Sequence, residues 1–342
     1  MFRKTRARAP LRLGLAGGGT DLSPYVETFG GAVLNTTIDR YAFASIAPRS
    51  DDRIVFEAHD LDSSYECGIN DDISQSPLVL HRGVYERMIR EFNGGRRIAM
   101  TLTTTVDAPL GSGLGSSSAL VVALVDAFRL LFSAPLGEYD VARMAYDIER
   151  IDLRLAGGRQ DQYAAAFGGI NFIEFYAEER VIVNPLRLKS GIRNELEASL
   201  VTCFSGRSRE SAQIISEQKS ELNKGSNRTI EAMHKLKSDA TEMKRLLFSG
   251  KITEMARLLN ESWTAKKATA AGVSNGRIDE LYEMALKSGA LGGKVSGAGG
   301  GGFMFFFVEP DQRFRLIDLL QKEGAVAAPV KFTNEGVETW QT

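Results

Sequence analysis

Residues 109–119 read PLGSGLGSSSA. An alternating segment, Ile98, Met100, Leu102, Thr104 and Val106, runs into this stretch with the two-residue period of a half-buried strand. An apolar run from Ala119 to Phe132 leaves it, long enough for a helix. Gly111, Gly113 and Gly115 let the connecting loop fold with successive backbone N–H groups pointing inward. Ser116, Ser117 and Ser118 add hydroxyls where the helix, with its partial positive end, begins. Strand, loop and helix together make an anion site, and a phosphate chain is the usual occupant. A serine-capped helix after a flexible turn is the simpler alternative, but one serine would satisfy it.

Glycine crowding recurs on either side. The 342 residues hold 34 glycines, and fourteen of them fall within 14–19, 111–115 and 292–302. Flexible linkers and collagen spread glycine evenly or periodically, so both are excluded. The third window, SGAGGGGF (296–303), contains a literal GxGxxG from Gly297 to Gly302. A dinucleotide fingerprint follows a strand and opens a helix. Here a helix ending at Gly289 precedes the glycines and the strand FMFFFV follows, so the Rossmann reading fails. Two uses remain for four consecutive glycines: packing one backbone on another, or close approach to a ligand. No P-loop GxxxxGK[ST] is present.

Two further segments carry chemistry. In ARAPLRLGLAGGGTD (7–21), Arg12 interrupts a strand-like apolar run and Asp21 follows a glycine turn; an edge residue and a turn cap would also fit. In AGGRQDQYAAAFGG (156–169), Asp161 stands between a glycine pair and a small-residue run, where nothing requires a surface charge. It reads as a functional acid or base, with a cap for a helix beginning near Gln162 as the alternative.

Composition bounds the rest. At 43% hydrophobic and 25% charged residues the chain is globular, with one large or two fused domains expected at this length. A net charge of −1 argues against non-specific binding to nucleic acid or anionic lipid. Cys67 and Cys203 form no CxxC pair, and His59, His81 and His234 lack a metal-binding spacing, so a reduced, cytoplasmic setting is expected. No membrane span is expected, and the basic N-terminus reads as mature protein because Arg12 breaks its apolar part.

The first hundred residues read as strands, at 32–48, 53–57 and 97–106, with another at 170–176. The second half reads as helical: Ile230 to Leu247, Met255 to Trp263, and a third from near Ser274 to Gly289, before strands at 303–308 and 328–332. The elements are segregated, which is an α+β pattern and not regular βαβ alternation. A seam is placed within 184–198, dividing the chain into 1–188 and 189–342.

In order and character, the three glycine windows resemble the signature motifs of the GHMP kinase superfamily, over nearly the whole chain. AGGGTDLSPYVETFGGAVLNTTID (16–39), GGRQDQYAAAFGG, and ESWTAKKA followed by GALGGKVSGAGGGGF are similar to its heptose 7-phosphate kinase branch, with the kinase domain of fucokinases as a close relative. The resemblance implies a ribosomal protein S5 domain 2-like N-terminal domain and a ferredoxin-like C-terminal domain. It implies ATP and Mg²⁺, and phosphoryl transfer to the anomeric hydroxyl of a sugar phosphate, feeding nucleotide-activated heptose for surface polysaccharide.

By the same resemblance, Asp161 is the catalytic aspartate and Arg12 the basic residue that steadies the reacting oxygen. Pro109, Gly111, Gly113, Leu114, Gly115, Ser116, Ser117 and Ser118 hold ATP, and Ser117 with Glu149 holds Mg²⁺, although Glu149 is one residue further from the aspartate than in mevalonate kinases. Gly18, Gly19, Thr20, Asp21, Gly299 and Gly300 fall on the substrate. Galactokinases continue the first motif with Gly-Glu-His-Thr-Asp, whereas here Gly17-Gly18-Gly19-Thr20-Asp21 stands. Two side chains have become glycine, which leaves room for a longer or phosphorylated sugar and argues against galactose. A distal phosphate needs a cationic clamp, for which Arg207, Arg209, Lys266, Lys267 and Lys294 are candidates. A fucose kinase and a non-catalytic sugar-nucleotide sensor are the competing readings, and a homodimer is left open.

Overall fold

The computed structural model describes residues 3–109, 111–206 and 211–342. Its strands are β1 (Thr5–Ala16), β2 (Gly31–Pro48), β3 (Arg53–Ala58), β4 (Ser63–Gly68), β5 (Met100–Val106), β6 (Ile170–Phe175), β7 (Val181–Pro185), β8 (Leu200–Phe204), β9 (Ala290–Val295), β10 (Phe303–Val308), β11 (Val326–Pro329) and β12 (Glu338–Gln341). They form two sheets. The larger runs β12-β1-β2-β5-β3-β4, with β6 on β2 and β7 on β6; the smaller is the antiparallel order β11-β8-β10-β9.

β2 organises the larger sheet. Its first half, Gly31–Thr36, pairs with β6, and its second half, from Ala42, pairs with β5. β1 runs antiparallel along its other edge, with irregularities between Pro10 and Leu11 and between Gly14 and Ala16. Side chains alternate faces along a strand, so Leu11, Leu13 and Leu15 enter the core while Arg12 leaves from the opposite face. Every residue from Ala9 to Ala16 is nonetheless buried, because helices cover both sides.

The helices are α1 (Tyr25–Phe29), α2 (Val79–Phe92), α3 (Ser116–Phe132), α4 (Glu138–Asp147), α5 (Gln160–Phe167), α6 (Ser190–Ala198), α7 (Ser211–Asn223), α8 (Asn227–Phe248), α9 (Ile252–Lys267), α10 (Gly276–Lys287) and α11 (Arg313–Lys322). α3 and α8 both pack on β1 and β2. α4 continues into a π-helical turn, Ile148–Asp152. One core draws on both halves of the chain, from Leu11 to Met255 and Phe305, and a second lies between the smaller sheet and α10 and α11. All six residues of β10 are buried, as the FMFFFV run requires of a central strand. Among the described residues no helix is long and apolar enough to cross a membrane.

The segregated α+β architecture is as expected, with differences in detail. The first hundred residues are not all strand, since α2 occupies Val79–Phe92. Burial of Val84, Tyr85, Met88 and Ile89 along it follows helical spacing. The helix after the glycine loop starts at Ser116, with the three serines at its head as expected and the apolar run from Ala119 following. The third helix of the second half starts at Gly276, with Asn275 accepting the Ile278 N–H as cap. The last strand of the smaller sheet is 326–329, not 328–332. The seam at 188/189 falls between β7 and α6, yet β12 returns to the larger sheet and pairs Thr5–Arg8 of β1 with Glu338–Gln341.

Candidate active site

The three glycine windows and residues 156–161 meet around one cavity of about 290 Å³. On one side Gly111, Gly113 and Gly115, all at positive φ, bend the loop into the first turn of α3. No side chain caps this helix, so its first amides are left for a ligand, beside Ser116, Ser117 and Ser118, which also line the cavity. Pro109 and Leu114 do not line it; Leu114 is fully buried, and its carbonyl accepts the Arg12 N–H at 2.9 Å.

Opposite the loop lies an ion pair. Arg12 Nη2 is 2.6 Å from Asp161 Oδ1, and Arg12 Nε donates to the same oxygen at 2.8 Å. The arginine side chain is 5% exposed and the carboxylate 24%; both line the cavity, and the aspartate is the more open of the two. Arg12 is locked further by donating to the Gly113 carbonyl and, at 3.3 Å, to Ser296 Oγ. Asp161 lies inside the first turn of α5 and does not cap it. Gly115 is the loop residue that faces the pair: a Cβ there would sit 3.3 Å from Asp161 Cγ.

Glu149 is 1% exposed, in the π-helical turn. Its Oε1 accepts from Ser117 Oγ at 3.2 Å, and Gln162 Nε2 bridges its Oε2 to Ser118 Oγ. A π turn holds one residue more than an α turn. A hydroxyl and a carboxylate side by side, next to the free amides at the start of α3, suit Mg²⁺, which takes one or two protein oxygens and completes its shell from phosphates. Among the described residues no cluster of three His, Cys, Asp or Glu is placed to hold a metal without such help.

The first window serves mainly to build the site. Asp21 is 2% exposed and its carboxylate is fully engaged: Oδ2 accepts from the N–H groups of Arg159 and Gln160, and Oδ1 from Gln160 Nε2 and the Gly19 N–H. It touches the cavity wall, yet its oxygens hold the start of α5, the helix that carries Asp161. Thr20 is buried, donating to the Gly17 and Ala32 carbonyls, and Gly18 offers its carbonyl to Lys266 Nζ at 2.9 Å. Of residues 14–22 only Gly19, Asp21 and Leu22 reach the cavity.

The third window packs against the second. A Cβ on Gly302 would lie 2.3 Å from the Ser112 carbonyl oxygen, and one on Gly113 equally close to that of Ser296. Gly299 and Gly300 are buried against Val273, whose carbonyl accepts the Gly300 N–H at 2.8 Å; they do not line the cavity, whereas Gly297 and Ala298 do. Lys294 is also beneath the site and not in it, donating to the Gly14 carbonyl at 2.7 Å. Burial, with Lys266 and Arg12 nearby, lowers its pKa to about 7. Lys266 lines the cavity, and burial lowers it to about 8 against the pull of Asp21. Arg207 and Arg209 lie outside the described residues.

Sequence reasoning missed Ser296, which ties Arg12 to the third window, and Gln160, which shares the grip on Asp21. It also missed α7, whose Ala212, Ile215 and Gln218 close one side of the cavity. Gln160 was within reach because it adjoins Asp161; the α7 residues carry no signal beyond a helical pattern.

Residues 79–169 match the model of the GHMP kinases N terminal domain, and residues 243–328 that of the GHMP kinases C terminal domain. The D-glycero-alpha-D-manno-heptose 7-phosphate kinase of Campylobacter jejuni is 44% identical, covering 99% of this chain and 100% of its own. The L-fucokinase/L-fucose-1-P guanylyltransferase of Bacteroides fragilis is 24% identical over 95% of this chain and 37% of its own. Among solved structures, a D-glycero-D-manno-heptose 1-phosphate kinase from Bacteroides thetaiotaomicron superposes with a TM-score of 0.83 at 40% identity, covering 99% of each chain.

Proposed function

Because the chain belongs to the GHMP kinase family, we propose that it moves the γ-phosphoryl group of ATP onto the anomeric hydroxyl of D-glycero-D-manno-heptose 7-phosphate, giving heptose 1,7-bisphosphate and ADP. The observation that carries the chemistry is the Arg12–Asp161 pair set against Gly115 of the phosphate loop. The sugar follows from the relative at 44% identity; the fucokinase relative, at 24%, supports fucose less.

In this reading the bond from sugar O1 to the γ-phosphorus forms as the bond to the β,γ-bridging oxygen breaks. ADP leaves with that bonding pair, and the hydroxyl proton passes to the Asp161 carboxylate. Such transfers run through a loose transition state, so orientation and charge neutralisation matter more than strong base catalysis. Arg12 fixes the carboxylate and adds positive charge beside the migrating group. The amides of Ser116–Ser118 steady the phosphate chain. Mg²⁺, when bound by Ser117 and Glu149, supplies neutralisation of the phosphate oxygens. The substrates belong to the cytoplasm, and the product would supply nucleotide-activated heptose for surface polysaccharide.

Asp161→Asn keeps the shape and removes the proton acceptor. It is expected to lower kcat by about 10³-fold while the Kd of a non-hydrolysable ATP analogue changes by less than about threefold. Turnover near the wild-type rate would overturn the assignment of Asp161. Phosphorus NMR of the wild-type product checks the reaction itself: a new anomeric phosphate beside the retained 7-phosphate is expected.

A further inference from the structure

A second cavity of about 330 Å³ opens off the first. The two share Asp21, Arg150 and Leu155–Gly157 as walls, and the annex has none of the phosphate-loop residues 111–118. It therefore extends the site on the side away from the nucleotide phosphates, where the far end of a sugar held at Asp161 must point. Three cations line it: Arg150 from the π-helical turn, Arg154 just beyond that turn, and Lys219 from α7.

We propose that the annex walled by Arg150, Arg154 and Lys219 seats the distal phosphate of the sugar substrate, an assignment that rests on the reading of the substrate above. The charges there are unbalanced. Arg154 and Lys219 have no hydrogen-bond or ion-pair partner among the described residues, although twenty-two other ion pairs are formed. Of the two acidic side chains in the annex wall, Asp21 is saturated by the start of α5 and Glu179 is paired with Arg143. Arg150 leans over Gly157 so closely that a Cβ there would meet its guanidinium; its other contacts are Glu149 Oε1 at 3.6 Å and the Gly158 carbonyl at 3.4 Å. Arg154 sits at φ +55°, a left-handed backbone uncommon for a long side chain and concentrated at ligand sites. Lys219 is crowded by burial and by Arg150, both of which lower its pKa, with Glu27 and Asp21 opposing. A dianionic phosphate would relieve that crowding with charge-assisted hydrogen bonds.

Among the described residues, the other candidate cations do not form such a clamp. Lys266 and Lys294 point to backbone carbonyls within the site, and Lys267 is 3.7 Å from Asp279.

The double variant Arg154→Ala/Lys219→Ala tests the assignment by kcat/KM for heptose 7-phosphate relative to unphosphorylated heptose. The ratio is expected to fall by about 100-fold or more, mostly through KM of the 7-phosphate. Arg154→Lys, retaining a charge, is expected to recover part of the loss relative to Arg154→Ala. An unchanged ratio overturns the annex assignment, as does a proportional loss on both sugars. The wild type is the control for the substrate itself: failure to phosphorylate heptose 7-phosphate would overturn the functional reading, whatever the variants do.

Discussion

The central and third glycine windows are alike in composition and opposite in use. In the central window Gly115 faces the Arg12–Asp161 pair and the cavity, leaving space for a ligand. In the third, Gly302 presses its backbone on Ser112, and Gly299 on Val273, leaving space for other parts of the chain. Gly113 has both duties, lining the cavity while touching Ser296. Glycine density therefore reports close approach of a backbone, and the partner must be learned from the fold.

Substitution can separate the two uses. The largest effect is expected for Gly302→Ala, whose new Cβ meets a carbonyl oxygen at 2.3 Å and whose φ is +83°. Urea unfolding is expected to show a loss of about 3 kcal/mol or more. A loss below about 1 kcal/mol would mean that the third window yields easily and is not a rigid support. Gly115→Ala has milder contacts, the nearest at 3.3 Å, but at φ +74° it displaces the loop relative to Asp161. Here turnover is expected to fall by about 100-fold, equivalent to about 2.7 kcal/mol in the barrier, with a smaller loss of stability. Equal damage by both alanines to stability and turnover would erase the distinction.

Two finer tests follow. Ser117→Ala removes a hydroxyl from the first turn without disturbing packing, so kcat/KM for ATP is expected to drop about tenfold or more while stability stays within about 1 kcal/mol. Lys294 probes the support beneath the windows. Its folded pKa, about 7, lies below the ordinary value of 10.5, so the unfolded chain binds the extra proton between those values. Burial therefore costs stability most below pH 7, and stability should rise with pH from about 7 toward 10.5. Lys294→Met should flatten that rise by about 2 kcal/mol between pH 7 and 9, measured by denaturant unfolding.

Much of the site was legible because its signals are local. A charged residue inside an apolar strand, three serines heading a helix, and an aspartate among small residues can each be noticed within a few residues of sequence, although each also has a structural alternative. Glu149 sits in a π-helical turn, which no local pattern announces. Asp21 was harder to read, since its donors on residues 159 and 160 are brought to it only by the tertiary fold. The same holds for Lys294, whose partner is a backbone carbonyl 280 residues away. Gly299 and Gly300 were read toward the ligand because nothing nearby in the chain reveals Val273 as their neighbour. The annex cations sit on two elements separated by masses of intervening chain, and only the fold joins them.

The pairing of β12 with β1 sets an order of events. β1 carries Arg12, but its outer edge at Thr5–Arg8 meets a partner only when residues 338–341 arrive, after every other described element. During synthesis that edge stands open as a strand template while the helices and the smaller sheet are being made. Closing a loop of such length is slow, so the final zipper of the larger sheet belongs to a late stage of folding. Arg8 marks the junction: it pairs with Glu338 across the seam and interrupts an otherwise sticky border until its partner is available.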